Sequence, residues 1–154
     1  MKNSQQNLII SQIDEKLSKL NTLDPSLLPN HGWVYTIRTA LKMSLEQFGK
    51  KLGISKQAAQ KIEDREIEGA ITIKALKDAS NALGMDLVYY LVPKEKSLQK
   101  MIEDRAFQKA KEIVLRTSHT MQLEDQENTE QRIQAAIKEK ADEIKGEMPK
   151  YLWD

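Results

Sequence analysis

The apolar positions of this chain recur at helical spacings almost throughout, with one stretch that breaks the rule. Ile9, Ile13, Leu17 and Leu20 are spaced by four, four and three, which predicts one apolar stripe on a first helix. "NTLDPSLLPNHG" then brings prolines, a glycine and polar turn formers, the composition of a linker. "WVYTIRTALKM" places Val34, Ile37, Ala40 and Leu41 on one face of a second helix. "SLEQFGKKLGISKQAAQKIE" reads as two short helices broken at Gly53-Ile54-Ser55, and "ITIKALKDASNALG" as another helix. The exception is "MDLVYYLVP", β-branched and aromatic between Gly84 and Pro93, which predicts a short strand. One strand cannot make a sheet, so it needs a partner, for instance from a second copy of the chain. Two charged amphipathic helices follow, joined near "EDQEN". Ile102, Ala106, Ala110 and Ile113/Val114 form the stripe of the first; Ile133, Ala136/Ile137 and Ile144 form that of the second. The chain divides into residues 1–31 (helix and linker), 32–93 (a helical module plus strand) and 94–154 (a helical extension). The fold class is all-α with one added strand.

The punctuation of the module is specific. Ser44 is a good N-cap, with Gln47 three residues on as its capping-box partner. Gly53 suits a left-handed residue ending the first short helix, and Ser55 caps the second. Thr72 can cap the following helix and Gly84 can end it. Phe48, Leu52 and Ile54 are spaced to meet Ala59 and Ile62, and Gly49 lies where two helices cross closely. These offsets predict a helix-turn-helix.

The second motif helix has an outer face without large apolar residues. At 100° per residue Lys56, Gln57, Gln60 and Lys61 fall within an arc of about 140°. Such a face suits the major groove of DNA: glutamine pairs bidentately with adenine, and lysine donates to guanine O6/N7. Ala58 allows close approach or touches a thymine methyl. Ser55 and the first helical N–H groups are placed for a phosphate. Gln57, Gln60 and Lys61 are the expected base readers and Lys56 a phosphate contact. Ser44 and Gln47, heading the other motif helix, complete the expected DNA-binding set. Lys50 and Lys51 are either phosphate contacts or solvated lysines. The competing reading of the whole pattern is an ordinary helical hairpin with solvated Lys and Gln.

Composition narrows the alternatives. Among 154 residues the net charge is +1, but residues 32–75 carry eight basic against five acidic side chains, and residues 120–154 five against nine. A basic module thus precedes an acidic tail. There is no cysteine, which excludes disulfides and thiolate metal sites. The N-terminus has neither a signal-peptide apolar region nor a membrane span, so a cytoplasmic location is expected. His31 and His119 are far apart in sequence and read as polar surface residues. No phosphate loop or nucleophile elbow is present; no enzyme activity, cofactor or metal is expected. Tyr89 and Tyr90 could stack on single-stranded bases, although a strand buried at a dimer interface explains Val88, Tyr90 and Val92 more simply. A homodimer on a palindromic operator is expected, held by Leu87–Leu91 or by the stripe at Ile9, Ile13 and Leu17.

"SLEQFGKKLGISKQAAQKIE" resembles the phage-repressor/Cro-type motif of the XRE family, whose five-helix DNA-binding domain "GWVYTIRTALKM" and "ITIKALKDASNALG" also resemble. That family commonly has alanine where Gly49 stands, and glycine is equally small. Nearly the whole chain, from about Leu8 to Asp154, is similar to the family called mobile mystery protein A, on "GWVYTIRTALKMS", "ALGMDLVYYLVP", "SHTMQLEDQ" and the terminal "LWD". Members are encoded on mobile elements beside mobile mystery protein B, which carries a Fic domain, a fold that commonly transfers AMP to proteins. The resemblance implies an autoregulatory, antitoxin-like DNA-binding regulator. The alternative is a protein that directly blocks a Fic AMP-transferase with little DNA-binding role. Fic proteins can be silenced by a helix of pattern Ser/Thr-x-x-x-Glu-Gly/Asn; Thr120 to Glu124 fits it, with Asp125 departing at the last position. Glu124 and the terminal Tyr151, Leu152 and Trp153 are therefore the expected partner-binding residues. Simple packing of the C-terminal helices on each other or on the DNA-binding module is the competing reading.

Overall fold

The computed structural model describes residues 2–20, 24–122 and 130–154. Its helices are α1 (Lys2–Ser18), α2 (Trp33–Ala40), α3 (Leu45–Leu52), α4 (Lys56–Glu68), α5 (Ile73–Ala82), α6 (Leu98–Gln122) and α7 (Glu130–Glu147), with short 3-10 turns at Pro25–Leu27 and Lys150–Trp153. The chain forms two compact units: residues 23–90, and residues 1–22 with 91–154. The expected strand at 85–93 is absent, and among the described residues there is no strand at all. A strand is defined by a hydrogen-bonded neighbour, and among the described residues no other segment supplies one. Four α-helices, not the five implied by the XRE resemblance, make up the unit 23–90.

That unit is built around Phe48, wholly buried with Val34, Ala59, Ala79 and Leu83. Ile37, Leu45, Leu52, Ile62 and Leu76 pack around them, half-buried. Burying a Phe-sized side chain stabilises by about 1.5–3 kcal/mol, so this small cluster needs further ties between helices. They come from α4, whose inner face reads Ala59, Ile62, Glu63, Glu66. Glu63 is 1% exposed and lies against Arg38 of α2, itself 8% exposed. Arg38 Nε donates to Glu63 Oε1 at 2.5 Å, Nη2 to Oε2 at 3.2 Å, and Nη1 to the Met43 carbonyl at 2.7 Å. Glu66, one turn on, accepts the backbone N–H groups of Trp33 and Val34 at 2.8 and 2.9 Å. Its carboxylate therefore caps α2 from another helix, where Gly32 offers no side-chain cap. Gly32 has φ +78°, and an added Cβ would lie 2.8 Å from the Glu66 carboxyl carbon. The positive φ favours glycine there, and a Cβ would push the Glu66 carboxylate off its cap.

The apolar face of α2 is shorter than its periodicity suggested. Val34 is buried and Ile37 half-buried, but Ala40 and Leu41 are exposed. The helix ends at Ala40, and Lys42 turns the chain away with φ +53°. Arg38 takes the inner position instead.

The second unit packs α6 and α7 as an antiparallel pair, with α1 and the terminal 3-10 turn against α6. Its core holds Ile10, Ile102, Ala106, Ala110, Ile137, Ile144 and Leu152. The α6 and α7 stripes thus meet, with Val114 rather than Ile113 on the packed side. On α1 the packed face is centred on Ile10, and Ile9 and Ile13 stay exposed. Asp14 fixes this rotation. Its carboxylate accepts the N–H groups of Leu98 and Gln99 at 2.7 and 3.0 Å, capping α6, and it lies one turn from Ile10. Asn3 Nδ2 donates to the Gly146 carbonyl at 2.9 Å. Arg105 Nε donates to the Leu152 carbonyl at 2.7 Å, and its Nη2 to the Asp154 oxygen.

Candidate nucleic-acid interface

Residues 44–69 form two helices joined by a tight turn, and every expected cap is in place. Ser44 Oγ accepts the Gln47 N–H at 3.1 Å while Gln47 Oε1 accepts the Ser44 N–H at 2.8 Å, a reciprocal capping box. Gly53 ends α3 in the left-handed region, φ 69°, and its neighbour Ile54 donates to the Gly49 carbonyl at 2.9 Å. Ser55 Oγ accepts the Ala58 N–H at 3.1 Å and starts α4. Thr72 does the same for α5, and Gly84 follows its end with φ 72°. Where α3 meets the turn, the backbone comes very close: a Cβ on Gly49 would lie 2.9 Å from the Ile54 carbonyl oxygen and 3.1 Å from that of Ser55. Alanine is therefore not an equivalent of glycine in this chain. Ile54, expected to join Phe48 and Leu52 inside, remains 37% exposed. It belongs to the turn, outside the face that α3 and α4 share.

This scaffold leaves the predicted DNA-binding face open. Lys56, Gln57, Gln60 and Lys61 are all exposed on α4, and Ala58 between them is half-buried. Asp64 shares that face one turn on, and Gln60 Nε2 donates to its carboxylate at 3.1 Å. Gln60 is thus already oriented, whereas among the described residues Gln57 has no side-chain hydrogen bond and leaves its amide exposed. Ser44 and Gln47 are exposed beside the α3 N-terminus. Because the capping box uses the Gln47 amide oxygen, its NH2 group remains available as a donor to a phosphate. Leu41, Lys42, Met43, Gln47, Lys50 and Lys51 line an open groove, with three ammonium groups at its edge.

The expected partner-binding residues are less uniform. Leu152 is fully buried in the core, clamped through its carbonyl by Arg105, and is not presented to an outside protein. Tyr151 and Trp153, on either side of it, are exposed. A 3-10 turn spaces its side chains by about 120°, which separates Leu152 from its neighbours. Glu124 lies outside the described residues. His31 is exposed and packs against Tyr35 at 5.3 Å between ring centroids.

Arg38, Glu63 and Glu66, which hold α4 in place, were missed in the sequence. A signal existed: opposite charges occupy inner positions of two neighbouring amphipathic helices, at Arg38 beside Val34/Ile37 and at Glu63 beside Ala59/Ile62.

Among the described residues no helix is long and apolar enough to cross a membrane. No curated protein and no solved structure matches the chain. Residues 34–90 match a protein-family model described as helix-turn-helix, which covers α2 to α5 and a little over a third of the chain. The match supports reading this segment as an XRE-type DNA-binding domain of a transcription regulator.

Proposed function

We propose that this protein is a sequence-specific transcriptional regulator that binds a palindromic operator as a homodimer and represses or activates its own promoter. The observation that carries the reading is the open polar face of α4, built on two serine-capped helix starts inside a segment that matches the helix-turn-helix family. Gln57 and Lys61 read base edges, Lys56 holds a phosphate, and Gln47 donates to another across the groove. Two such helices on a two-fold axis address half-sites about 34 Å apart. Selection from random DNA followed by gel-shift titration tests it. Gln57→Ala and Lys61→Ala should each weaken the selected site by about 1–3 kcal/mol and relax one position. Lys56→Ala should weaken all sequences alike and reduce the salt slope by about one. Wild-type binding by both Gln57→Ala and Lys61→Ala would remove α4 from the interface.

The antitoxin-like role and the Fic-domain partner rest on the resemblance to mobile mystery protein A. In that reading Trp153 and Tyr151, exposed beside the buried Leu152, offer aromatic anchors of the type interfaces favour, and Glu124 acts on the Fic site. Co-purification with a Fic-domain protein encoded beside this chain is the test. Tyr151→Ala with Trp153→Ala should abolish it, and failure of the intact protein to bind would remove the partner.

A further inference from the structure

Residues 87–93, LVYYLVP, are the longest uncharged apolar run of the sequence. They are not put away: Val88 is 77% exposed, Leu91 83% and Tyr89 68%. Among the described residues, none of residues 86–92 is hydrogen-bonded to another segment. Residues 86–93 lie in no helix or turn and none has a positive φ, so they are open to an extended conformation. Exposed apolar side chains on both sides of an unpaired backbone are a template for another strand.

We propose that residues 86–94 pair antiparallel with the same residues of a second copy, about a two-fold axis through Tyr90; this rests on the homodimer reading above and gives it a defined contact. The sequence is self-complementary in that register. Asp86 faces Lys94 at both ends, Val88 faces Val92, and Tyr89 faces Leu91. Placing the hydrogen-bonded pairs at 86–94, 88–92 and 90–90 leaves Pro93 opposite Leu87 in a non-hydrogen-bonded pair, where its missing N–H is harmless. Shifting the axis to Tyr89 sets Asp86 against Val92 and Lys94 against Gly84. Shifting it to Leu91 needs Lys96 inside the strand, and Lys96 has φ +67°. A two-stranded ribbon alone is marginal in water. In the unit 23–90, Met85, Leu87 and Val88 border a groove of about 280 Å³ with Trp33, Ile37 and Leu76, a base on which one ribbon face can rest.

The chain has no native cysteine, so single thiols report the register directly. In the proposed ribbon the two Tyr90 Cα atoms are about 5.5 Å apart, within the range a disulfide spans. Tyr90→Cys should therefore form a covalent dimer on mild oxidation of the full-length protein. Tyr89→Cys and Leu91→Cys should each stay uncrosslinked alone and crosslink when mixed. Sedimentation of the unmodified chain accompanies this. A monomer at micromolar concentration overturns the homodimer and the ribbon together. A dimer in which Tyr90→Cys does not crosslink overturns the ribbon alone, and one dissociated by Ile9→Glu with Ile13→Glu moves the contact to α1. Crosslinking of Tyr89→Cys alone overturns the register. Species larger than a dimer mark the segment as a site of open-ended association and overturn the closed pair.

Discussion

Glu63→Gln changes one atom of the carboxylate and leaves the packing volume of α4 intact, so it isolates the buried ion pair with Arg38. The guanidinium then keeps the Met43 carbonyl but loses its counter-charge, and an amide NH2 replaces one of the two oxygens that accept from it. Removing one partner of a buried pair costs about 3–5 kcal/mol, largely the desolvation of the charge left behind. Arg38 retains a little solvent access, which places the expected loss near the lower value, about 3 kcal/mol. A unit spanning residues 23–90 has a total stability of only about 3–10 kcal/mol at typical values per residue. The substitution should therefore remove a large part of it and loosen α4 from α2 without touching the exposed polar face of α4. Urea unfolding followed by Trp33 fluorescence in a Trp153→Phe background isolates this unit from the other, so that a two-state analysis is legitimate. The double variant Arg38→Met with Glu63→Leu should cost far less than either charge deletion, because both desolvation penalties vanish together. A loss below about 0.5 kcal/mol for Glu63→Gln, or a double variant as unstable as the singles, would refute the reasoning.

Three further outcomes are expected. Gly49→Ala should destabilise the same unit although alanine is the better helix former by about 1 kcal/mol, because its Cβ would meet the Ile54 carbonyl oxygen at 2.9 Å; a urea midpoint above wild type would show that the turn can shift. Leu152→Ala should cost the other unit about 2–5 kcal/mol, read in melts followed by Trp153 fluorescence, since Leu152 is fully buried; an unchanged midpoint would make it a surface residue. Lys145 and Gln99, by hydrogen bonding to Glu103, hold its carboxyl below the ordinary 4.5. A depressed acid stabilises the folded state above its unfolded value and loses that contribution as pH falls through the folded one. The contribution of Glu103 should thus be constant from neutrality down to that ordinary value and fade below it, and Lys145→Met should remove most of it from the acid limb of Trp153-monitored melts.

Local signals were legible in the sequence because their partners are only a few residues away. The caps at Ser44, Ser55 and Thr72, the left-handed Gly53 and the polar arc of α4 depend on bonds closed within one helical turn, and the structure places them as their spacing implies. The apolar stripes of α6 and α7 were equally plain. What the tertiary structure decided is every feature whose partner is distant in the chain. Arg38 finds Glu63, Glu66 caps α2, Asp14 caps α6 and Arg105 clamps the terminal turn across 25 to 85 residues. A charged side chain in a sequence does not announce whether it meets water or a carboxylate brought in by another helix. The face of α1 went the same way: periodicity offered Ile9 and Ile13, but capping of α6 by Asp14 turned Ile10 inward. The run 85–93 marks the opposite limit. Its residues prefer a strand, yet a strand exists only where a second backbone is hydrogen-bonded to it, and none of the described residues supplies one.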